Sequence, residues 1–309
     1  MQCSIADSTR RTYQVGQNRY HNFCDLYWLP AYPVTPQTTI LFATYLAQTV
    51  VTYKTIKVYL AAIIHLHTDS GQPDNISDNV QLQRTLLGIK RSLGDTKKPR
   101  LPITMNILRR LKESLRTHPS IHTNDKLMLW SAFTVAFFGF LRVSEFTATS
   151  PQHFDKTRTL LIEDTTCAIE LYVQLRASKT DPFRHGCIIK IAPTFTSVCA
   201  VRAYTKYRSI CAPSPQTPAF QFHSWSWLTR QSLTTHLRDL LTRAGIQNPR
   251  LYTTHSFRRG AATTAAEANV PDWLIKTLGR WRSDAYQVYI DTPSSTLQDV
   301  PRILCGHSS

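Results

Sequence analysis

A histidine and an arginine three positions apart, His255 and Arg258 in THSFRRG, fall on one face of any helix that carries them. Side chains so placed can hold one phosphate between them, the imidazole handling a proton and the guanidinium donating paired hydrogen bonds. The stretch runs on through a Gly-Arg-Trp turn at 279–281 to Tyr289 in DAYQVYI. A tyrosine hydroxyl has a pKa of about 10, so it acts as an oxygen nucleophile only beside a base or in a cationic pocket. These groups in this order fit attack on a phosphodiester. The chain has no glycine-rich phosphate loop, carboxylate cluster or metal-ligand spacing that would point to another chemistry, and no cofactor or metal is expected.

The overall charge agrees with such a substrate. Lysine and arginine total 36 against 20 acidic residues in 309, a formal charge of +16, which is more than solubility requires and implies a polyanionic partner. Seven cysteines, an odd number with no CxxC pair, read as free thiols in a reducing compartment and exclude zinc fingers. The first residues hold no apolar run of signal-peptide length, and no stretch approaches the roughly 18 apolar residues of a membrane span. A soluble, intracellular protein with no membrane association is therefore expected.

The elements that must position these groups follow from periodicity and turn signals. Up to about residue 95 the apolar residues recur at helical spacing: Tyr13, Tyr20, Phe23 and Tyr27, then Ile40 to Leu46, then Tyr59 to Leu66, then Leu82 to Leu93. Proline and Ser/Gly/Asp/Asn clusters separate them. The polar, basic segment GDTKKPRLP marks a linker, placed at 96–104, and a second domain occupies 105–309. That domain opens with helices at Met105 to Leu115 and Asp125 to Phe140, the latter apolar all round and so a central buried helix. Ile169 to Leu175 alternates like a strand, Cys187 to Ile191 looks like its returning partner, and helices resume at Thr194 to Ile210, Trp227 to Ala244, His255 to Ala268, Pro271 to Leu278 and Ser283 to Ile290. The fold class expected is mainly α with a small β-sheet.

Two further regions join the His255 to Tyr289 segment. FFGFLRVSEF ends an apolar helix at Arg142, with Ser144 a candidate cap for the next helix, and RASKTD puts Lys179 in the turn of the hairpin. Arginine, lysine, His-x-x-Arg, Gly-Arg-Trp and a terminal tyrosine, in that order, resemble the tyrosine recombinase or phage-type integrase family over nearly the whole chain. FFGFLRVSE and LGRWRSDAYQVYI are closest to recombinases of eukaryotic DIRS-like and crypton-like mobile elements, which implies a nuclear location. The resemblance implies a helical, SAM-like core-binding bundle followed by an α+β catalytic domain. It also implies site-specific breakage and rejoining of double-stranded DNA without ATP or metal, and a homotetramer on DNA in which the tail from Pro293 to Ser309 docks on a neighbour.

Carried over residue by residue, the resemblance makes Tyr289 the nucleophile that forms a 3′-phosphotyrosyl bond, with Tyr286 one turn earlier as its competitor. His255 is the base and Lys179 the acid for the departing 5′ oxygen. Arg142 and Arg258 grip the non-bridging oxygens, where negative charge grows in the transition state. Glu145 orients Arg142 or a neighbouring histidine. The family commonly has His or Trp nine residues before the nucleophile. Here that count reaches Arg280, with Trp281 eight before, so Trp281 is taken for the turn position and Arg280 is its alternative. In the linker, Lys97, Lys98 and Arg100 are either phosphate contacts or part of a solvated tether. The competing readings are a domesticated or degraded protein that only binds DNA and, from another enzyme class, a type IB topoisomerase.

Overall fold

The computed structural model describes residues 5–49, 52–94, 99–177, 185–211, 214–284 and 287, and the chain divides into two compact units, 1–98 and 99–309. Among the described residues no helix is long and apolar enough to cross a membrane. The cysteines described, Cys24, Cys167, Cys187, Cys199 and Cys211, are all free thiols.

Among the described residues the first unit holds four helices, α1 (Asp7–Leu26), α2 (Pro36–Gln48), α3 (Tyr53–Asp69) and α4 (Val80–Leu93). Their starts are set by local chemistry. The Thr35 hydroxyl accepts from the Thr38 backbone with Pro36 in the first turn, Thr52 caps α3, and Asn79 accepts from Leu82 N–H at 2.9 Å. The apolar stripes meet in one core of Tyr20, Phe23, Phe42, Leu46, Ile56, Ile63 and Leu82. Tyr27 belongs to the expected α1 stripe but lies beyond the helix end and is half exposed.

In the second unit α5 (Met105–Arg116) leads to α6 (Thr123–Phe138), whose residues from Met128 to Phe137 are all buried, as expected of a helix apolar on every side. A one-turn helix, α7 (Val143–Phe146), follows at once. Three antiparallel strands, β1 (Thr165–Cys167), β2 (Leu171–Leu175) and β3 (Cys187–Ile191), form a sheet in that order, with Val173 facing Thr165 on one side and Ile189 on the other. Then come α8 (Ala200–Ile210), α9 (Arg230–Arg243), α10 (His255–Glu267) and α11 (Asp272–Leu278). This is a mainly helical fold with a small sheet.

Several boundaries differ from the sequence reading. The strand β1 was not expected, because three residues carry too little periodicity to register. The helix placed from Thr194 starts only at Ala200, since the Thr194 and Thr196 hydroxyls both bond the Val198 carbonyl and hold those residues in a turn. Ser144 does not cap α7. It is exposed inside that helix, the cap position belongs to Arg142, and the Glu145 carboxylate reaches back to the Arg142 N–H at 2.8 Å.

α10 packs on α6 through the stacked rings of Phe257 and Phe133, 5.0 Å apart. On another side it meets the extended segment 101–103, where Ile103 N–H donates to Ser256 O at 2.9 Å and Leu101 N–H to Leu251 O at 3.2 Å. Gly260 makes this approach possible, because a Cβ there would stand 1.9 Å from the Ile103 carbonyl oxygen. The obstacle is backbone, which cannot rotate away. Gly260→Ala is therefore expected to destabilise the second unit by about 3 kcal/mol, read as a lower urea midpoint at unchanged slope.

Candidate functional site

The site is built where α6 ends. Gly139 terminates that helix, Phe140 turns the chain with a left-handed φ of 48°, and Arg142 starts α7. The geometry aims the Gly139 and Phe140 carbonyls at the turn after α11 and leaves Arg142 beside Glu145. Glu145 is only 3% exposed, and its Oε1 accepts from Arg142 Nη1 at 2.9 Å. A buried carboxylate is tolerated only when its charge is compensated. Here a second guanidinium contributes: Arg280 Nη2 donates to Glu145 Oε2 at 3.0 Å.

Arg280 is held on several sides. Its Nη1 donates to Gly139 O and its Nη2 also to Phe140 O, both at 3.1 Å, and its own backbone is left-handed with φ 55°. Arg258, on α10 and 2% exposed, sends Nη1 to the same Phe140 carbonyl at 2.5 Å and Nη2 to the Gly279 carbonyl. Arg258 from α10 and Arg280 from the turn after α11 thus converge on one backbone oxygen. The Trp281 ring lies 4.3 Å from the Arg258 guanidinium, a cation–π contact, and meets Phe140 edge-on. Gly279 is required because a Cβ would run into that ring. The turn position therefore divides: Arg280 joins Glu145 and Arg142, while Trp281 covers Arg258.

His255 opens α10 one helical turn before Arg258 and is half-buried. Its pKa is lowered from the ordinary 6.5, first by burial and then by the charges of Arg100, Arg230, Arg258 and Arg142. The imidazole is neutral at pH 7, able to accept a proton. Those arginines and Arg280, with Glu145 as the carboxylate that pairs two of them, leave the site cationic among the described residues. Arg230 is the residue that the sequence reading missed. It stands directly after the Thr229 cap of α9, and in one dimension nothing separates it from the other basic surface residues.

The remaining assignments fall elsewhere. Lys179, Tyr286, Tyr289 and the tail 293–309 lie outside the described residues, as does the helix placed at Ser283 to Ile290 except for Ser283, Asp284 and Gln287. The approach to Lys179 is described: Arg176, just after β2, pairs with Asp164 at 2.7 Å and Glu163 at 2.5 Å, pinning the strand end. A cleft of about 690 Å³ opens between the ends of β2 and β3 and α11, lined by His185, Lys276, Arg280, Trp281 and Arg282. Lys276 binds Asp284 at 2.9 Å, drawing the chain after the turn back toward α11.

No protein-family model matches the chain. An integrase/recombinase XerD homologue of Selenomonas ruminantium is 25% identical over 292 residues, covering 91% of this chain and 80% of that protein. Among solved structures, the XerH site-specific recombinase in a post-cleavage complex with its difH substrate matches with a TM-score of 0.66 at 14% identity, over 95% of this chain and 79% of that one. A lambda integrase dimer bound to a core site matches at 0.62 and 13%, over 93% and 73%, and the Tn1549 transposon integrase with circular-intermediate DNA at 0.58 and 15%, over 96% and 94%. These likenesses show the tyrosine recombinase fold and support that family.

Two measurements probe this site. Glu145→Ala leaves two largely buried guanidiniums without their carboxylate and is expected to cost about 3 kcal/mol of stability in thermal unfolding, whereas a surface Glu113→Ala changes little. In an NMR titration His255 should change charge below pH 6.5. Because the unfolded chain binds that proton first, the stability that the neutral imidazole contributes is present above pH 6.5 and is lost as the pH falls through the window between its folded and ordinary values.

Proposed function

We propose that the chain is a site-specific DNA recombinase or integrase of the tyrosine type. The observation that carries this reading is the convergence of Arg142, His255, Arg258 and Arg280 on one cationic site around the Phe140 carbonyl. In the reaction proposed, the Tyr289 oxygen attacks a DNA phosphorus, its proton passes to the neutral His255, and the bond to the 5′ oxygen breaks. Lys179 protonates that leaving oxygen, and a 3′-phosphotyrosyl bond remains. Attack by a second strand's 5′-hydroxyl reverses the steps, so bond energy is retained and neither ATP nor metal takes part.

Arg142 suits phosphate binding because Glu145 takes one of its donors and fixes the plane of the guanidinium, which carries five. Held in place before substrate arrives, such donors stabilise the charge that develops at phosphorus without reorganisation. The first unit, with Arg10, Arg11, Arg19, Lys54, Lys57, Arg84, Lys90 and Arg91, is proposed to bind the duplex backbone. Four protomers would work on two sites, the tail 293–309 linking neighbours. The two motifs close to DIRS-like and crypton-like recombinases support a mobile-element role and action in the nucleus.

A pool of nicked suicide duplexes with a randomised core tests the chemistry. Wild type is expected to form a 3′-linked adduct that survives denaturation, and Tyr289→Phe to form none, while Tyr286→Phe retains it. His255→Ala and Arg142→Ala should each slow its appearance about 100-fold or more. An adduct retained by Tyr289→Phe overturns the nucleophile. DNA bound without any adduct favours a protein that only binds, and relaxed circles without exchanged partners favour a topoisomerase.

A further inference from the structure

Two arginines at the candidate site have no role in the reaction described above. Arg100 and Arg230 are both exposed, and among the described residues neither side chain has a hydrogen bond or an ion pair. They differ in this from Arg116, Arg142, Arg158, Arg176 and Arg280, each of which meets a carboxylate.

The backbone brings them to the same place. Arg100 precedes Leu101, whose N–H bonds Leu251 O, and Ile103 bonds Ser256 O, so this segment runs along the N-terminal end of α10, where His255 stands. Arg230 begins α9, and α9 is tied to the chain just beyond α7 by the pairing of Thr229 with Ala148 and the bond from Ala148 N–H to Leu228 O at 2.9 Å. Among the charges that act on the His255 imidazole those of Arg100 and Arg230 come first, ahead of Arg258 and Arg142. A cation in the first turn of a helix faces the positive end of the helix dipole, so folding alone gives Arg230 no reward there. An anion laid across His255 would reward both residues at once.

We propose that Arg100 and Arg230 are phosphate-binding residues of this site, gripping DNA backbone phosphates that flank the scissile one on two sides of His255. The proposal rests on the recombinase reading for the identity of the anion and adds residues to it. Exposed, unpartnered guanidiniums suit this task, since they lose little hydration before contact and bind phosphate with paired hydrogen bonds.

The test needs neither the target sequence nor the covalent step. Binding of the full-length chain carrying Tyr289→Phe to a short duplex is followed by fluorescence anisotropy over a potassium chloride series. Arg100→Ala and Arg230→Ala are each expected to reduce the slope of log K against log salt by about 0.9, and together by about 1.8, one phosphate apiece. Arg243→Ala is the control, an exposed arginine at the opposite end of α9, and should leave the slope unchanged. The melting temperatures should match throughout, because no folded-state contact is removed. A methylphosphonate scan of the duplex adds a second readout: neutralising the contacted phosphate should abolish the difference between Arg230 and Arg230→Ala. Slopes for Arg100→Ala and Arg230→Ala equal to that of Arg243→Ala overturn the proposal, even if wild type forms the covalent adduct. The expected slope changes with no adduct from wild type uphold these contacts and overturn the strand-transfer reading alone.

Discussion

The carboxylate of Glu145 and the carbonyl of Phe140 together gather three arginines that come from three places in the chain. Glu145 binds Arg142 and Arg280, and Phe140 O accepts from Arg258 and Arg280. Like charges brought this close repel, and each guanidinium gives up hydration to enter a mostly buried site. The arrangement persists because a buried anion and backbone dipoles replace the lost water and because the Trp281 ring covers Arg258. Much of the surrounding packing serves to keep those acceptors where they are.

That constraint explains features that otherwise look unrelated. Phe140 adopts a left-handed backbone, uncommon for a large side chain, and so turns its carbonyl toward α10 and the turn after α11. Gly279 has no side chain because Trp281 occupies the space of its Cβ, and Gly260 has none because the 101–103 backbone passes there. Gly279 in Gly-Arg-Trp and Gly260, two residues after Arg258, are packing requirements of the elements that carry charge. In this way backbone strain and close approach hold Arg142, Arg258 and Arg280 together at one place.

How much was legible in the sequence differs by element. Strand β2 and α6, buried from Met128 to Phe137, are legible in their residues, one from the alternation of Leu171, Val173 and Leu175 and the other from an apolar run too long for a strand. Of the six core positions of the first unit that lie in α1 and α2, five, Tyr20, Phe23, Phe42, Ala43 and Leu46, follow from helical spacing, and Cys24 does not. The turn held by Thr194 and Thr196 was read as helix, since hydroxyl groups that compete for backbone bonds leave no mark on periodicity. At the site, the expectation that Glu145 orients Arg142 agrees with the contact between them, yet its second partner is Arg280, 135 positions away. Spacing along one helix put His255 beside Arg258; no spacing could put Arg280 beside Glu145.

Residue types, their order and the net charge of +16 are properties of the chain itself; they point to a phosphodiester and to His255, Arg258 and Tyr289, and the family resemblance adds Arg142 and Lys179. The division of labour between Arg280 and Trp281, and the nearness of Arg100 and Arg230 to His255, were decided only by the tertiary structure. The physical reason is that these relations run through space between α6, α9, α10 and the 100–103 segment. They depend on how closely helices approach and on which way a carbonyl turns, neither of which is encoded in any local stretch of residues.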